Sequence, residues 1–347
     1  MTSLADIGGW PSVISRLVDK ADLPGDHARA AMAEILAGEA TPAQIAAFVV
    51  ALRSKGETGT EMAGLLDAVL AAVTPVALPP AIAARAVDIV GTGGDRSHSI
   101  NVSTIAAIVV AGAGVPVCKH GNRASSSKCG SADVLAALGV AIEADPSVVA
   151  RCVERAGIGF CLATKYHPAF RHAGPPRREI GVPTVFNLLG PMANPARVGR
   201  QVIGVANPAV AERMIATLEA HGSTSAWVVH GNGLDELTTT GTSEVIALEG
   251  GAVRRFTVDP AALGLAPARA EQLTGGEPDE NAAAARRVLA GERGPHRDIV
   301  LLNAAAALVV AGRAADLSEG LSLAAASVDD GAAVACLEAL VRESNAA

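Results

Sequence analysis

Aromatic side chains are scarce in this chain: two Trp, one Tyr and five Phe make up 2% of 347 residues. Half the residues are hydrophobic, enough for a sizeable core, but that core must be filled with Ala, Val, Leu and Ile. Cysteine is sparse as well. Cys118, Cys129, Cys152, Cys161 and Cys336 are odd in number and form no CxxC, so neither a disulfide framework nor a zinc site is suggested, and a reducing compartment is expected. No basic excess exists; the formal net charge of -7 argues against a general nucleic-acid binder. The opening "MTSLADIGGW" lacks the charged and apolar regions of a leader. The longest apolar run, around "TIAAIVVAGAGVPVC", is too short for a bilayer and is broken by glycine and proline. The expectation is a soluble, cytoplasmic protein with no membrane partner.

The length suits one large domain beside a small one. Residues 12–73 read as several short helices. "TPAQIAAFVVALRSKG" is the clearest, with Thr41 placed to cap, Pro42 at the first helical position and Gly56 at the end. "TPVALPPAIAAR" then reads as a linker. After it the pattern alternates. "AVDIV", "VPVCKHG", "IGFCLA", "RQVIGVA" and "SAWVVHG" read as strands, separated by helical stretches such as "VSTIAAIVVAGAG", "SADVLAALG" and "PAVAERMIATLEAHG". This predicts an α/β fold: a small N-terminal helical domain plus a large domain with a mostly parallel central sheet covered on both faces. The C-terminal third reads as covering helices. In such sheets ligands collect at the carboxyl ends of strands, and "GTGGD", "KHGNR" and "HGNGLDE" all follow strands directly.

Gly91, Gly93 and Gly94 remove three β-carbons just after a strand and just before a helix expected to begin near Ser103. Bare backbone facing a helix N-terminus is a phosphate cradle. The loop is neither a dinucleotide fingerprint, since Arg96 stands at the third glycine position, nor a P-loop, since no GK[ST] follows. From Arg96 to Ala132 there is no Asp or Glu, while Arg96, His98, Lys119, His120, Arg123 and Lys128 fall in that stretch. Cations, hydroxyls and amides without acids suit a polyanionic phosphate ester. A second acid-poor block, Arg155 to Ala211, holds Lys165, His167, Arg171, His172, Arg177 and Arg178 with Glu179 as its only acid. Two cationic segments suggest two anionic ligands, or one ligand with two charged ends. Asp235 and Glu236 sit together after "AWVVHG"; beside a polyphosphate, such a pair suits Mg²⁺, which takes one or two carboxylates plus phosphate oxygens.

Taken in order, "GTGGD", "NVST", "KHGNRASSSKCGSADVLAALG", "HPAF…RRE", "FNLLGPMANP" and "DELTT" resemble the anthranilate phosphoribosyltransferase family over nearly the whole chain. The resemblance implies transfer of a phosphoribosyl group from phosphoribosyl pyrophosphate to anthranilate, in tryptophan biosynthesis, with Mg²⁺ as cofactor. It implies that Gly91, Gly94, Asp95, Ser99, Asn101, Val102, Ser103 and Thr104 hold the donor, and that Lys119, His120, Gly121, Asn122, Arg123, Ala124, Ser125, Ser126, Ser127 and Ser131 hold its phosphates from the other side. Gly91, Asn122, His120, His167 and Arg177 would meet anthranilate, Arg177 through the carboxylate. Ser103, Asp235 and Glu236 would hold the metal. His120 and Arg177 are the candidate catalytic residues, with no certain acid–base group. The implied layout is a helical domain over residues 1–75, joined by a returning segment near 165–184 and pairing into a homodimer, and an α/β domain over 76–347. Arg96, His98, Cys129 and Phe170 depart from the family pattern without removing a ligand. A pyrimidine nucleoside phosphorylase is the alternative enzyme, and a non-catalytic nucleotide or nucleic-acid binder a second one; "KHGNR", "DELT" and the acidic balance favour the transferase.

Overall fold

The computed structural model describes residues 2–95, 97–124 and 128–346. The first four long helices are Gly9–Val18, Gly25–Ala37, Pro42–Lys55 and Gly59–Ala72. Capping fixes the starts of the latter two. Thr41 Oγ1 accepts from Gln44 N while Gln44 Oε1 accepts from Thr41 N, and Thr58 with Glu61 repeats the arrangement. The stretch after them is pinned rather than loose: Thr74 N donates to Tyr166 O and Val76 N to Pro195 O.

Seven strands follow: β1 (Val87–Gly91), β2 (Val117–Gly121), β3 (Ile158–Leu162), β4 (Arg200–Gly204), β5 (Ser225–Gly231), β6 (Ser243–Glu249) and β7 (Ala252–Val258). They form one sheet in the order β3-β2-β1-β4-β5-β6-β7. β1 to β5 are parallel; β6 and β7 join antiparallel as a hairpin. The sheet is thus α/β and mostly parallel, as the alternating pattern predicts. The hairpin lies in a stretch for which the sequence had suggested no strands. The order runs outward in both directions from β1 and β4, so the topological switch lies between those two strands, where open α/β sheets bind ligands.

Strand alternation sends side chains to two separate cores. Ile89, Val202, Trp227 and Val229 face one cluster, which contains the helix Val102–Gly112 and the C-terminal helices. Ile203, Ala226, Val228 and Leu248 face the other, which contains the N-terminal helices. The segment Pro168–Ile180 belongs with this second layer: Ala173 joins its core, Phe170 packs on it, and the helix Gly174–Ile180 lies against Pro42–Lys55. An Arg213–Glu57 ion pair at 3.1 Å ties the helix Ala211–Ala220 to the N-terminal layer. With almost no rings available, alanine gives close helix packing. The helix Val102–Gly112 has its first ten residues buried and rests against Pro295–Val310. Among the described residues no single helix is long and apolar enough to cross a membrane.

Candidate active site

The carboxylate pair sits at the topological switch, and glycines seat it. The last residues of β1, β4 and β5 are Gly91, Gly204 and Gly231. A Cβ at Gly91 would stand 2.2 Å from Asp235 Oδ2; at Gly204, 1.6 Å from Asp235 O; at Gly231, 2.2 Å from Glu236 O. Gly91, expected to open the loop to a ligand, is therefore required by Asp235. The open backbone lies one step on, at Gly93 and Gly94, whose φ values of 70° and 82° favour glycine. Nothing stands within 4 Å of where their β-carbons would be. The pair is held from below by Asn303, which is fully buried on Pro295–Val310: its Oδ1 accepts from Leu237 N and its Nδ2 donates to Leu237 O.

Asp235 Oδ2 accepts from Gly93 N at 2.6 Å and Glu236 Oε1 from Ser103 N at 3.2 Å. The helix expected near Ser103 begins at Val102, so Glu236 takes a free N–H of its first turn. Burial pushes both carboxyls up from the ordinary range; Asp95 raises Asp235 further and Asp235 raises Glu236. The opposing charge is Lys119. It stands within β2, in the stretch read as a strand, 1% exposed, donating to Ile89 O and lying 3.4 Å from Ser103 Oγ. Burial lowers its pKa, with Asp88 and Glu236 opposing. Asp88, which the sequence reading passed over, is fully buried and held by His120 N and Asn194 Nδ2; burial raises it to about 6. Asp95, Asp235 and Glu236 thus crowd one another, and of the three only Glu236 is answered by the Lys119 ammonium, which it shares with Asp88. These hard oxygen donors with excess negative charge fit a divalent cation. Among the described residues no three His, Cys, Asp or Glu side chains close a metal site by themselves, so an ion would draw on a hydroxyl such as Ser103, water or substrate oxygens.

The loops contribute differently from their sequence. Arg123, expected free for phosphate, pairs with Asp133 at 3.1 Å, the first acid beyond the acid-free stretch, and lies 3.8 Å from Glu143. Asp133 also accepts from Ala124 N and Gly130 N, fixing the exit of the loop. Lys128 lies 4.0 Å from Glu277, and Lys165 pairs with Asp145 at 2.7 Å. Asn122 is exposed and its Oδ1 accepts from Arg123 N. Ser131 opens the next helix and packs where a Gly121 side chain would be. In the glycine loop, Ser97 Oγ donates to Asp95 and lies 3.2 Å from Ser99 Oγ; Asn101 stands at the cap of the following helix; Val102 and Thr104 have buried side chains, and their N–H groups donate to Ile100 O and Asn101 O. His98, a departure from the family pattern, takes φ 53° and its carbonyl accepts from Gly275 N. Arg96, Ser125, Ser126 and Ser127 lie outside the described residues.

On the opposite face of β2 from Lys119, a ring wall runs toward the N-terminal layer. His120 and His167 have centroids 4.9 Å apart, His167 stacks on Phe170 at 5.0 Å, and Phe170 meets Phe186 edge-on at 5.4 Å. The Arg177 guanidinium lies 5.0 Å from the Phe186 centroid and, among the described residues, forms no ion pair. Burial lowers its pKa. Both histidines are buried; desolvation lowers His120 well below the ordinary value and His167 to about 4, so both are neutral. Each ring also bonds a main-chain carbonyl, of Gly190 and Ala193 respectively, while each Nε2 is buried without a partner. Among the described residues the two Nε2 atoms therefore stand unpartnered in one wall.

The helical and α/β parts each match a known family: "Glycosyl transferase family, helical bundle domain" over residues 11–73 and "Glycosyl transferase family, a/b domain" over residues 83–334. The chain is 53% identical over 334 residues to the anthranilate phosphoribosyltransferase of Methylobacterium nodulans, covering 96% of this chain and 98% of that one. It is 51% identical to that of Rhizobium rhizogenes, with 96% and 97% covered. Among solved structures, the anthranilate phosphoribosyltransferase of Thermus thermophilus superposes with a TM-score of 0.91 at 42% identity, covering 96% and 99% of the two chains. That of Saccharomyces cerevisiae in complex with PRPP and Mg gives 0.87 at 28%, covering 96% and 97%.

Proposed function

The chain belongs to the anthranilate phosphoribosyltransferase family, and from that premise we infer how its own residues carry the reaction. It transfers the phosphoribosyl group of 5-phosphoribosyl 1-pyrophosphate to the amine of anthranilate, giving N-(5-phosphoribosyl)anthranilate and pyrophosphate, a step of tryptophan biosynthesis. The observation that carries the reading is the crowded carboxylate set beneath an open, positive-φ glycine turn, with the ring wall beside it.

The donor lies over Gly93, Gly94, Asp95, Ser99 and Asn101, with Asn122, Ala124 and Ser131 closing from the second loop. Asp235, Glu236 and Ser103 are the ligands for Mg²⁺. When bound, Mg²⁺ supplies charge stabilisation of the departing pyrophosphate. Lys119 keeps Glu236 from being left as an uncompensated buried anion. The displacement at the anomeric carbon proceeds with inversion and oxocarbenium character.

Anthranilate lies along the ring wall. Its carboxylate pairs with Arg177, whose desolvated guanidinium has no competing acid among the described residues. Its amine, neutral at pH 7, carries two N–H donors, and the unpartnered His120 Nε2 and His167 Nε2 are acceptors for such donors. The amine needs orientation more than deprotonation, which accounts for a site without an acid–base dyad. The helical layer carries Val18, Val50 and Val182, three of the four exposed large hydrophobics among the described residues, which supports a homodimer through that layer.

Loss of anthranilate fluorescence, followed with and without Mg²⁺ and the ribosyl donor, tests the function. Turnover only with both is expected. Turnover of thymidine with phosphate instead would favour the phosphorylase reading, for which the carboxylate cluster has no use.

A further inference from the structure

Asn281 is the one polar side chain buried on the helix Pro278–Leu289, amid Ala282, Ala284, Ala285, Val288 and Leu289. It is 2% exposed. Its Oδ1 accepts from Gly276 N at 2.7 Å and its Nδ2 donates to Asn101 Oδ1 at 2.8 Å. Asn101 Nδ2 in turn donates to Cys129 O at 3.1 Å.

Both ends of this chain are backbone groups of fixed polarity, so each amide has one orientation. Gly276 N–H can only donate; Asn281 must meet it with oxygen and turn its NH₂ to Asn101. Asn101 must then answer with oxygen, and its NH₂ meets the Cys129 carbonyl, which can only accept. Among the described residues one N–H of Asn101 has no partner. The same segment pairs with the exit of the glycine loop: Ile100 N donates to Leu273 O and Gly275 N to His98 O. The helix Pro278–Leu289, the glycine loop and the end of the second loop are thereby joined by three side-chain hydrogen bonds.

We propose that Asn281 is a positioning residue for the phosphoribosyl donor, holding the Asn101 amide in the orientation that offers an N–H to an oxygen of the donor. This rests on the reading of Asn101 as a donor ligand.

The test measures KM for both substrates, with Mg²⁺ saturating, in Asn281→Asp and Asn281→Ala, each alone and combined with Asn101→Ala. Asn281→Asp keeps the size of the side chain and the acceptor for Gly276 N but replaces the donor facing Asn101 with an acceptor. It should raise the donor KM about tenfold and leave the anthranilate KM within about twofold. On the Asn101→Ala background the same substitution should change the donor KM by less than about twofold, because the group it acts through is gone. An equal effect on both backgrounds, as from added charge alone, overturns the positioning role. So does an unchanged donor KM in Asn281→Asp while Asn101→Ala raises it. If Asn101→Ala itself leaves the donor KM unchanged, the assignment of Asn101 fails instead. Should Asn281→Ala not fold, Asn281→Asp carries the comparison.

Discussion

Replacing Arg177 with alanine should strike anthranilate binding and little else. The guanidinium is already largely desolvated, which lowers its pKa, and its close partner is the face of Phe186 at 5.0 Å. A carboxylate meeting such a cation gains a charge-assisted hydrogen bond of about 1.5–3 kcal/mol, roughly 10- to 150-fold in affinity. The ring contact subtracts about 0.5–1 kcal/mol if the guanidinium must leave it, pulling the effect toward the lower half of that range. Arg177→Ala is therefore expected to raise the anthranilate KM about 10- to 100-fold. Because the carboxylate is remote from the reacting amine, the interaction is the same in ground and transition states, so kcat at saturating anthranilate should stay within about threefold. The donor KM should not move. Phe186→Leu removes only the ring and should change the anthranilate KM by less than about fivefold. The assay is the fluorescence decrease on anthranilate consumption, with a melting curve to confirm folding. An anthranilate KM within about twofold of wild type, or a collapse of kcat at unchanged KM, would show that Arg177 does not hold the carboxylate.

Asp235 and Glu236 have folded-state pKa values raised by burial and mutual repulsion. As pH climbs past the ordinary carboxylate range, the unfolded chain ionises freely while the folded one resists, so metal-free stability declines with rising pH until the raised values are passed. Mg²⁺ should hence raise the melting temperature more at about pH 8 than at about pH 6. Asp235→Asn with Glu236→Gln should erase both the pH trend and Mg²⁺-dependent turnover; an undiminished Mg²⁺ stabilisation in that variant would refute the assignment. Gly91→Ala places a methyl 2.2 Å from Asp235 Oδ2 and should displace the carboxylate, weakening Mg²⁺ binding and costing about 1–3 kcal/mol of stability. Wild-type Mg²⁺ affinity and melting in Gly91→Ala would contradict the seating role. His120 and His167, both lowered by burial, should show imidazole proton resonances unchanged between about pH 5.5 and 8. Titration of either near its ordinary value would mean the wall is open to water.

How far the site could be read from sequence differs residue by residue. The glycine turn and the carboxylate pair were found because strand ends mark ligand sites in parallel sheets, and both do lie at the β1–β4 switch. The acid-free stretch does not show which of its cations are already paired: Arg123 meets Asp133, just past its end, and lies near Glu143, while Lys128 lies 4.0 Å from Glu277, far away in sequence. Asp88, Asn281 and Asn303 gave no motif, because each bonds to main chain or side chains far away in sequence. A lone polar residue in an alanine run, as in "ENAAAARR", was the only trace of Asn281.

The sequence by itself determined what is local: the capping boxes at Thr41 and Thr58, the strand and helix periods, and the glycines after β1. These depend on contacts within a few residues, where spacing alone fixes the geometry. Tertiary structure decided which charges are free and which are answered. It turned Lys119 inward to the carboxylates and His120 to the ring wall on the opposite face. Such pairings depend on distances between chain segments far apart in sequence, and no local rule contains them.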